Sequence, residues 1–349
     1  MSGVLELMHY AAPYAGNFIP SIVSLARALR DAHTDTVLVF PAAARGREWI
    51  DPLCAQGYPV YFLPRRLPDA ARMLRRIIRT HDIRCVHSHF IDRTFYLPLR
   101  IACLGQRITH VYHAHSTPHF SMRGNSIRRA LMHTDKVLCV SDAVRRAFEQ
   151  CGFSDCVTVP NGVDFSRLAD GEAPDMPHPF VLMFGYDFAI KGIDTALDAF
   201  DAFDPAHRCT LGICVAGHGD AARQTLQTRC GGVPQWVRLL GPRSDVGAYY
   251  RAADVFLSAS RTEGMPYAVL EAAYCGLPLV LSDIAPHREL CLPQTQMFAV
   301  DDTRALFDAL GRAMTVTDGS ENRAYVAQNF AMETWTKRVL AELISDKEK

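Results

Sequence analysis

The chain has 349 residues, enough for about two ordinary domains that each bury a core. Apolar residues make up 49% and charged residues 21%, which is typical of a soluble globular protein and excludes a disordered or collagen-like chain. Lysine plus arginine and aspartate plus glutamate each number 37, and the resulting net charge of zero argues against a polybasic nucleic-acid binder.

The charges are distributed unevenly along the chain. Residues 1–170 carry 21 basic and 14 acidic side chains, a net charge of +7, whereas the remainder carries 16 and 23, a net charge of −7. Opposite signs in the two halves favour two domains with different partners over a chance distribution.

The cysteines and the N-terminus indicate the compartment. The eleven cysteines contain no Cys-x-x-Cys, and their spacing fits neither a zinc ribbon nor a disulfide framework. They predict buried, reduced thiols and a cytoplasmic protein. The first residues lack the basic and apolar regions of a signal peptide, and no apolar run approaches the ~18–20 residues of a membrane span. Any membrane contact is therefore expected to be peripheral.

Short apolar runs alternate with amphipathic stretches in the first half of the chain. This alternation predicts βαβ units and a parallel sheet. The stretch 20–30 has its apolar residues at helical spacing. The predicted strands are 4–8, 36–40, 60–63, 85–87, 109–113, 136–140 and 156–159.

A proline-containing segment at 169–179 interrupts the pattern and predicts a linker, after which the pattern restarts. The sequence thus predicts an α/β chain with two doubly wound domains, 1–168 and 180–331, whose strand ends face each other across a ligand-binding cleft. A helix within 332–349 is expected to pack back toward the first domain. The later predicted strands are 180–184, 210–216, 237–240, 255–258 and 279–282, and the later helices are 193–201, 219–230, 246–252, 266–275 and 332–344.

The segment 255–278 is the most informative. It predicts a strand, a loop, a helix that begins near Pro266, and a stop at Gly276. Glu263 lies in the loop and Glu271 in the helix, eight residues apart. Carboxylates placed in this way suit sugar and ribose hydroxyls, and the amides at a helix start suit a phosphate. The alternative is that Glu263 only interacts with the helix dipole and that Glu271 is a solvated residue. The surrounding motifs, Ser-x-x-Glu-Gly-x-Pro and Glu-Ala-x-x-x-Gly-x-Pro, favour a functional role for both glutamates.

This segment resembles the Glu-x7-Glu signature of retaining glycosyltransferases with two Rossmann-like domains, the GT-B fold, and specifically family 4. Further segments resemble that family in the same order: 136–144, 159–164, 182–192, 215–219 and 240–241. The resemblance implies a nucleotide diphosphate sugar as co-substrate and a glycan or lipid-linked acceptor, with no cofactor, no metal and no nucleic acid. The chain contains no Asp-x-Asp, the usual metal-chelating signature of the other glycosyltransferase fold.

The resemblance also implies roles for individual residues. Glu271 would bind the ribose, Glu263 would hold donor-sugar hydroxyls, and Lys191 would stabilise the charge that develops on the departing diphosphate. A solvated lysine is the alternative for Lys191. The further donor-binding candidates are Gly16, Asn17, Tyr186, Gly217, Gly264, Met265, Pro266 and Tyr267.

The sequence departs from the family at one important position. Tyr186 stands where the commoner pattern has an arginine, so one of two expected diphosphate cations is missing. Arg243 or Arg261 is a candidate replacement. This departure keeps a non-catalytic sugar-nucleotide-binding or partner subunit open as an alternative, beside a nucleotide-sugar epimerase or a phosphorylase of the same fold.

Two histidine pairs end predicted strands. Family members carry a histidine near His113 and His115 that touches the donor sugar, so the resemblance makes both residues catalytic candidates, with packed core histidines as the alternative. His87 and His89 form a weaker candidate pair for acceptor binding. A metal site is not expected, because neither pair has the usual metal-ligand spacing.

Arginines crowd the amphipathic segment 65–79. A solvated helix face is one explanation, and a surface for anionic lipid head groups or a lipid-pyrophosphate acceptor is the other. The second explanation predicts peripheral association with the inner face of a membrane. The acceptor-side candidates are Arg72, Arg75, Arg76 and Arg79, and a second cluster comprises Arg123, Arg128 and Arg129.

Overall fold

The protein is described here by a computed structural model that covers residues 3–90, 92–118, 131, 133–169, 171–185, 187–204, 206, 208–215, 219–241, 243 and 245–344. The chain forms two compact units. The first comprises Met1–Gly162 together with Met332–Lys349, and the second comprises Val163–Ala331.

The first unit contains a seven-stranded parallel sheet in the order β3-β2-β1-β4-β5-β6-β7. The chain reverses its direction of travel across the sheet between β1 and β4, which is the doubly wound arrangement that the sequence predicts. The strands are β1 Gly3–Met8, β2 Thr36–Pro41, β3 Val60–Leu63, β4 Ile83–His89, β5 Thr109–Ala114, β6 Lys136–Cys139 and β7 Cys156–Thr158. The helices between them are α1 Phe18–Asp31, α2 Ile50–Ala55, α3 Leu67–Thr80, α4 Arg93–Cys103 and α5 Asp142–Gln150.

The second unit repeats this topology with six parallel strands in the order β10-β9-β8-β11-β12-β13. The strands are β8 Phe180–Gly185, β9 Thr210–Val215, β10 Val237–Leu239, β11 Val255–Ser258, β12 Leu279–Ser282 and β13 Gln296–Phe298. The helices are α6 Ile193–Phe203, α7 Asp220–Cys230, α8 Val246–Ala252, α9 Tyr267–Tyr274, α10 Ala285–Arg288, α11 Thr303–Ala313 and α12 Ser320–Asn329. Strand β13 is absent from the predicted strands, although the apolar run 297–300 overlaps it.

The last helix, α13 Met332–Ile344, packs in the first unit although it follows the second in sequence. Its buried face includes Trp335, Val339 and Leu343, which join Val4 and Leu29 in one apolar cluster. These residues lie at helical spacing, so one face of the helix is apolar and packs against the first unit's core.

The start of the second unit differs from the predicted domain boundary at 168. Val163 bridges to Ala331 and Phe165 stacks on Tyr274 with ring centroids 3.9 Å apart, so residues 163–168 belong to the second unit. The cause is long-range packing, which local sequence does not reveal. Among the described residues, no helix is both long and apolar enough to cross a membrane.

Candidate functional site

Two loops of the second unit start at neighbouring strand ends. Strands β8 and β11 are adjacent in the sheet although three helices and two strands separate them in sequence. Ligands of open α/β sheets bind beyond the carboxyl ends of strands at this kind of crossover. The loop after β8 carries Lys191, and the loop after β11 carries Glu263.

The two loops meet through an ion pair. Lys191 Nζ lies 2.6 Å from Glu263 Oε1, and the two side chains are only 14% and 11% exposed. The hydroxyl of Ser260 donates a second hydrogen bond to the same oxygen at 2.7 Å. Between the backbones, the N–H of Arg261 donates to the carbonyl of Ile190 at 2.9 Å. The sequence-predicted cation and carboxylate are thus brought together, and Ser260, the serine of the Ser-x-x-Glu-Gly-x-Pro motif, bonds to the carboxylate.

Gly192 allows this close approach of the loops. Its φ is +61°, and a Cβ atom built at this position would lie 2.0 Å from the carbonyl oxygen of Ala259. Any larger residue would therefore be strained twice, by its backbone conformation and by a collision with backbone. The position of the residue before it, Lys191, depends on this glycine.

Glu271 lies within α9 and is 3% exposed. Its Oε2 accepts a hydrogen bond from the Tyr250 hydroxyl at 2.8 Å, and its Oε1 pairs with the guanidinium of Arg167. Burial, together with the nearby Glu271 charge, raises the pKa of Tyr250 well above its usual value. Neither Arg167 nor Tyr250 was singled out from the sequence, because each lies far from Glu271 along the chain.

The start and end of α9 are set by local sequence. Pro266 precedes the first helical residue, Tyr267, and has an extended backbone. Gly276 ends the helix with a φ of +81°, the conformation that favours glycine. Gly264, Met265 and Pro266 are buried, and they bring Glu263 to the amino end of the helix that carries Glu271.

The two candidate replacement cations are bound to carboxylates. Arg261 pairs with Asp194 through both carboxylate oxygens and also with Asp301, and these bonds raise its pKa. Arg243 forms two hydrogen bonds with Asp245, at 2.9 and 2.7 Å. The predicted donor-site residues Tyr186 and Gly217 lie outside the described residues, as do Arg123, Arg128 and Arg129.

The histidine pairs of the first unit form one buried cluster with a glutamate that the sequence analysis missed. Glu6 on β1 is directly paired in the sheet with His87 on β4. His87 Nδ1 lies 3.0 Å from Glu6 Oε2, and His89 Nε2 lies 3.1 Å from the same oxygen. All three side chains are fully buried. Glu6 is the one charged residue in the otherwise apolar, buried strand β1, and that is the signal that would have found it.

His113 and His115 extend the cluster from the end of β5. The two rings stack with centroids 4.8 Å apart. His113 Nδ1 lies 3.2 Å from His87 Nε2, and His115 Nε2 lies 3.0 Å from His89 Nδ1. His113 is fully buried, whereas His115 is half-buried. Burial is the main cause that lowers the pKa of His89 and His113 well below the usual value and that of His115 to about 3.

Three of these imidazoles could hold a metal ion. His87, His89 and His113 each offer a ring nitrogen, and these atoms lie within 4.8 Å of one another. The absence of a metal therefore stays a prediction of the sequence analysis.

The loop between β1 and α1 carries the remaining donor-site candidates of the first unit. Gly16 has a φ of +58°, and Asn17 is buried at the start of α1. The Asn17 carbonyl accepts hydrogen bonds from the backbone N–H and the hydroxyl of Ser21, at 3.2 and 2.6 Å.

The predicted basic segment is α3. Its apolar face, which includes Leu74, Ile77 and Ile78, is buried in the first unit's core. Arg75 is half-buried, and the arginines exposed on or just before the helix are Arg65, Arg66, Arg72, Arg76 and Arg79.

Two family models match the chain. One, described as Glycosyltransferase Family 4, matches residues 21–167, and the other, described as Glycosyl transferases group 1, matches residues 178–315. Together they cover more than half of the chain.

Curated relatives match more locally. A phosphatidyl-myo-inositol mannosyltransferase of Mycobacterium leprae is 29% identical over 186 residues, which are 50% of this chain and 48% of the relative. The lipopolysaccharide core biosynthesis mannosyltransferase LpsB of Rhizobium meliloti is 26% identical over 182 residues, 48% of this chain and 52% of the relative. The chain thus spans about half the length of these curated relatives.

Solved structures match over nearly the full chain. Anabaena HepE in complex with UDP and glucose has a TM-score of 0.79 at 19% identity, covering 99% of this chain and 100% of that chain. The sucrose-phosphate synthase of Thermosynechococcus elongatus has a TM-score of 0.75 at 15% identity, covering 97% of each. At these identities the likeness establishes a common fold.

Proposed function

The chain belongs to family 4 of the glycosyltransferases and has the GT-B fold, and from this premise we propose that it transfers a sugar from a nucleotide diphosphate sugar to an acceptor hydroxyl. The observation that carries the proposal is the Lys191–Glu263 pair beside the amino end of α9. It offers a cation for the diphosphate, a carboxylate for sugar hydroxyls and helix-end amides for anionic oxygens within one small region.

The chemistry of the leaving group explains why these groups suit transfer. When the glycosidic bond to the diphosphate breaks, negative charge accumulates on the phosphate oxygens. A fixed ammonium group and oriented amides stabilise that charge without having to reorganise at the moment of reaction. The ion pair with Glu263 holds the Lys191 ammonium group in place.

Glu271 supports binding of the nucleoside part. Its carboxylate accepts bonds from Tyr250 and Arg167. A carboxylate is also the kind of acceptor that suits ribose hydroxyls. Retention of the anomeric configuration, with departure and attack on the same face of the sugar, and independence from metal ions are parts of the same proposal.

The names of relatives guide the choice of substrates. Two curated relatives are named as a phosphatidyl-myo-inositol mannosyltransferase and a lipopolysaccharide core biosynthesis mannosyltransferase, and the solved HepE structure contains UDP and glucose. We therefore propose a glycan or lipid-linked acceptor, and UDP- and GDP-sugars are the first donors to test. The exposed arginines of α3 support contact with anionic lipid at the inner face of a membrane.

The test is a donor panel that contains UDP-glucose, UDP-galactose and GDP-mannose, with and without EDTA. Release of nucleoside diphosphate and a product that retains the donor's anomeric configuration are expected, at equal rates with EDTA. Tight donor binding without turnover would instead favour the non-catalytic subunit, and interconversion of nucleotide sugars would favour the epimerase.

A further inference from the structure

Arg261 belongs to the loop that carries Glu263, and its side chain and backbone bind the chain on both sides of Lys191. We infer that Arg261 is a positioning residue that holds Lys191 in place for the leaving diphosphate, and that it is not itself a cation for that group. The placement follows from the contacts of the second unit, whereas the effect on sugar transfer rests on the proposed function.

The first step concerns the backbone just before Lys191. The N–H of Arg261 donates to the Ile190 carbonyl at 2.9 Å, and its guanidinium Nη1 donates to the Ala189 carbonyl. Within the loop, the N–H of Lys191 donates to the Asp187 carbonyl, and the N–H of Ile190 donates to the Asp187 carboxylate, each at 2.9 Å. The two peptide groups that precede Lys191 are therefore part of a closed turn that is bonded to Arg261.

The second step concerns the helix that follows Lys191. Asp194 lies in the first turn of α6, and Arg261 binds both of its carboxylate oxygens, Nη1 to Oδ1 at 3.0 Å and Nη2 to Oδ2 at 2.9 Å. Such a two-bond contact fixes direction as well as distance, because the guanidinium and the carboxylate are both planar. Since Ala189 and Asp194 lie on either side of Lys191 in sequence, one side chain holds both ends of this short segment.

The third contact comes from the loop after β13. Asp301 has a φ of +64°, a conformation that few residues other than glycine adopt. Its Oδ1 accepts hydrogen bonds from Arg261 Nε at 2.8 Å and from the Thr195 hydroxyl at 3.0 Å. Thr195 follows Asp194 in α6, so Asp301 links the guanidinium to the same helix a second time. Arg261 thus joins the loops that follow β8, β11 and β13.

Every N–H of the Arg261 guanidinium has an acceptor in this arrangement. A guanidinium has five N–H donors. The donor on Nε bonds to Asp301, and the two on Nη1 bond to Ala189 and Asp194. The two on Nη2 bond to Asp194 and, at 3.2 Å, to the Thr195 hydroxyl. Two carboxylates also surround this one cation, so the group as a whole offers no positive charge to a diphosphate.

The first experiment locates Lys191 after Arg261 has been replaced. Crystal structures of the unaltered full chain and of Arg261→Gln are compared. We expect Lys191 Nζ to move from 2.6 Å to beyond the ~4 Å limit of an ion pair with Glu263. The control Arg304→Gln removes an ion pair with Asp308 on α11 and should leave Lys191 in place. An unchanged Lys191–Glu263 distance in Arg261→Gln would overturn the inference, whether or not the protein transfers sugar.

The second experiment is a double-mutant cycle that measures donor turnover. We expect Arg261→Gln to lower kcat about 10- to 100-fold, which is the order of effect of a displacement of about 1 Å, with little change in affinity for the free nucleoside. In the Lys191→Ala background, the same change should alter kcat less than about twofold, because the group that Arg261 positions is already absent. An arginine with a merely structural role would lower kcat by the same factor in both backgrounds, and that result would overturn the inference.

The variant Arg261→Lys separates geometry from charge. Lysine keeps the positive charge but lacks the planar fork of five donors. We expect its kcat to lie within about threefold of that of Arg261→Gln. Recovery of the unaltered kcat would make Arg261 a cation for the diphosphate and would overturn the inference.

The variant Asp194→Asn keeps Arg261 in the chain and tests the same point if the arginine variants do not fold. The neutral amide weakens the two-bond contact, so we expect kcat to fall about tenfold, the order of one hydrogen bond to a charged group. Affinity for UDP or GDP should not increase. A higher affinity would show that the released guanidinium reaches the diphosphate, which would contradict the inference. If the unaltered protein neither binds nor transfers any donor of the panel, the proposed function fails, and the crystal structures still decide whether Arg261 positions Lys191.

Discussion

Lys191 and Glu263 are 72 residues apart in sequence and form a mostly buried ion pair at 2.6 Å. The pair joins the loops that follow two adjacent strands of the second unit, and Ser260 donates to the same carboxylate oxygen. The carboxylate that is proposed for the sugar thus neutralises the cation that is proposed for the diphosphate. The two residues can be tested separately.

Replacement of Lys191 should affect catalysis more than nucleoside binding. In Lys191→Ala, we expect kcat to fall about 10²- to 10³-fold, because the ammonium acts mainly on charge that develops in the transition state. Affinity for the free nucleoside should change less than threefold. Steady-state kinetics and calorimetry measure the two effects. The control Arg229→Ala removes an ion pair with Asp198 on the same unit and should leave kcat unchanged; a near-normal kcat in Lys191→Ala would refute the proposed role.

Replacement of Glu271 should reduce both nucleotide affinity and stability. Glu271→Ala removes a buried carboxylate that pairs with Arg167 and accepts a hydrogen bond from Tyr250, so we expect a loss of about 2 kcal/mol in unfolding free energy. The dissociation constant for UDP or GDP should rise roughly tenfold or more. Tyr250→Phe is the matched control, with a loss of about 1 kcal/mol and nearly unchanged affinity. Equal nucleotide affinity in Glu271→Ala and the unaltered protein would exclude ribose binding.

Of two glycine-to-alanine changes, one should lower kcat and the other should raise the stability of the protein. Gly192→Ala places a Cβ 2.0 Å from the Ala259 carbonyl oxygen at a φ of +61°, so the loop of Lys191 must shift and kcat should fall. Gly311→Ala lies in α11, where the added Cβ meets no atom within 4 Å, and it should stabilise the protein by up to about 1 kcal/mol. Thermal melts and turnover of both variants measure the difference. Unaltered kcat in Gly192→Ala would show that this loop position does not matter.

Acidification should destabilise the first unit. Burial lowers the pKa of His110 from 6.5 to about 4 and that of His115 to about 3, so between pH 6.5 and 4 the unfolded chain binds protons that the folded chain does not. Stability must therefore fall as pH falls through this window, by up to about 1.4 kcal/mol per pH unit for each such imidazole. Urea unfolding between pH 7.5 and 5 measures the slope, and His110→Gln should reduce it by close to one proton. A slope of the opposite sign would contradict buried, neutral histidines.

Removal of exposed arginines from α3 should weaken membrane binding. The combined change Arg72→Gln, Arg76→Gln and Arg79→Gln is expected to reduce binding to anionic vesicles roughly hundredfold, at about 1 kcal/mol for each charge near the surface. Binding of the unaltered protein should also decrease with salt. The control neutralises three exposed arginines of the second unit, Arg238, Arg304 and Arg312, and should leave binding intact. Equal binding to neutral and anionic vesicles would exclude the proposed electrostatic contact.

The sequence predicted the bounds of some elements directly. The strand at 60–63 and the helix at 332–344 have the predicted bounds, since an apolar run marks the first and amphipathic spacing marks the second. The three-residue strand β13 was not predicted, although β7 and β10, which are equally short, were. The start of the second unit at Val163 was misplaced because contacts with residues more than 100 positions away determine it.

For the candidate site, the sequence identified residues but not their partners. Lys191, Glu263 and Glu271 came from a local motif, whereas Arg167 and Tyr250 are brought to Glu271 only by folding. Glu6 was missed in the same way, because strand pairing, which places it beside His87, is not visible in one strand alone. A local motif in the sequence therefore identifies candidate residues in one loop and one helix. Their contacts with residues that are distant in sequence become known only from the folded structure.

The packing of α13 has a consequence for biosynthesis. A ribosome releases Met332–Ile344 after all of the second unit, yet Trp335, Val339 and Leu343 complete the apolar cluster that contains Val4. The first unit therefore keeps part of its core uncovered until α13 has been translated. The second unit is contiguous in sequence and can fold as soon as it emerges. Nascent chains stalled before residue 332 should therefore expose the first unit to proteases and chaperones although nearly all of its residues have already been made.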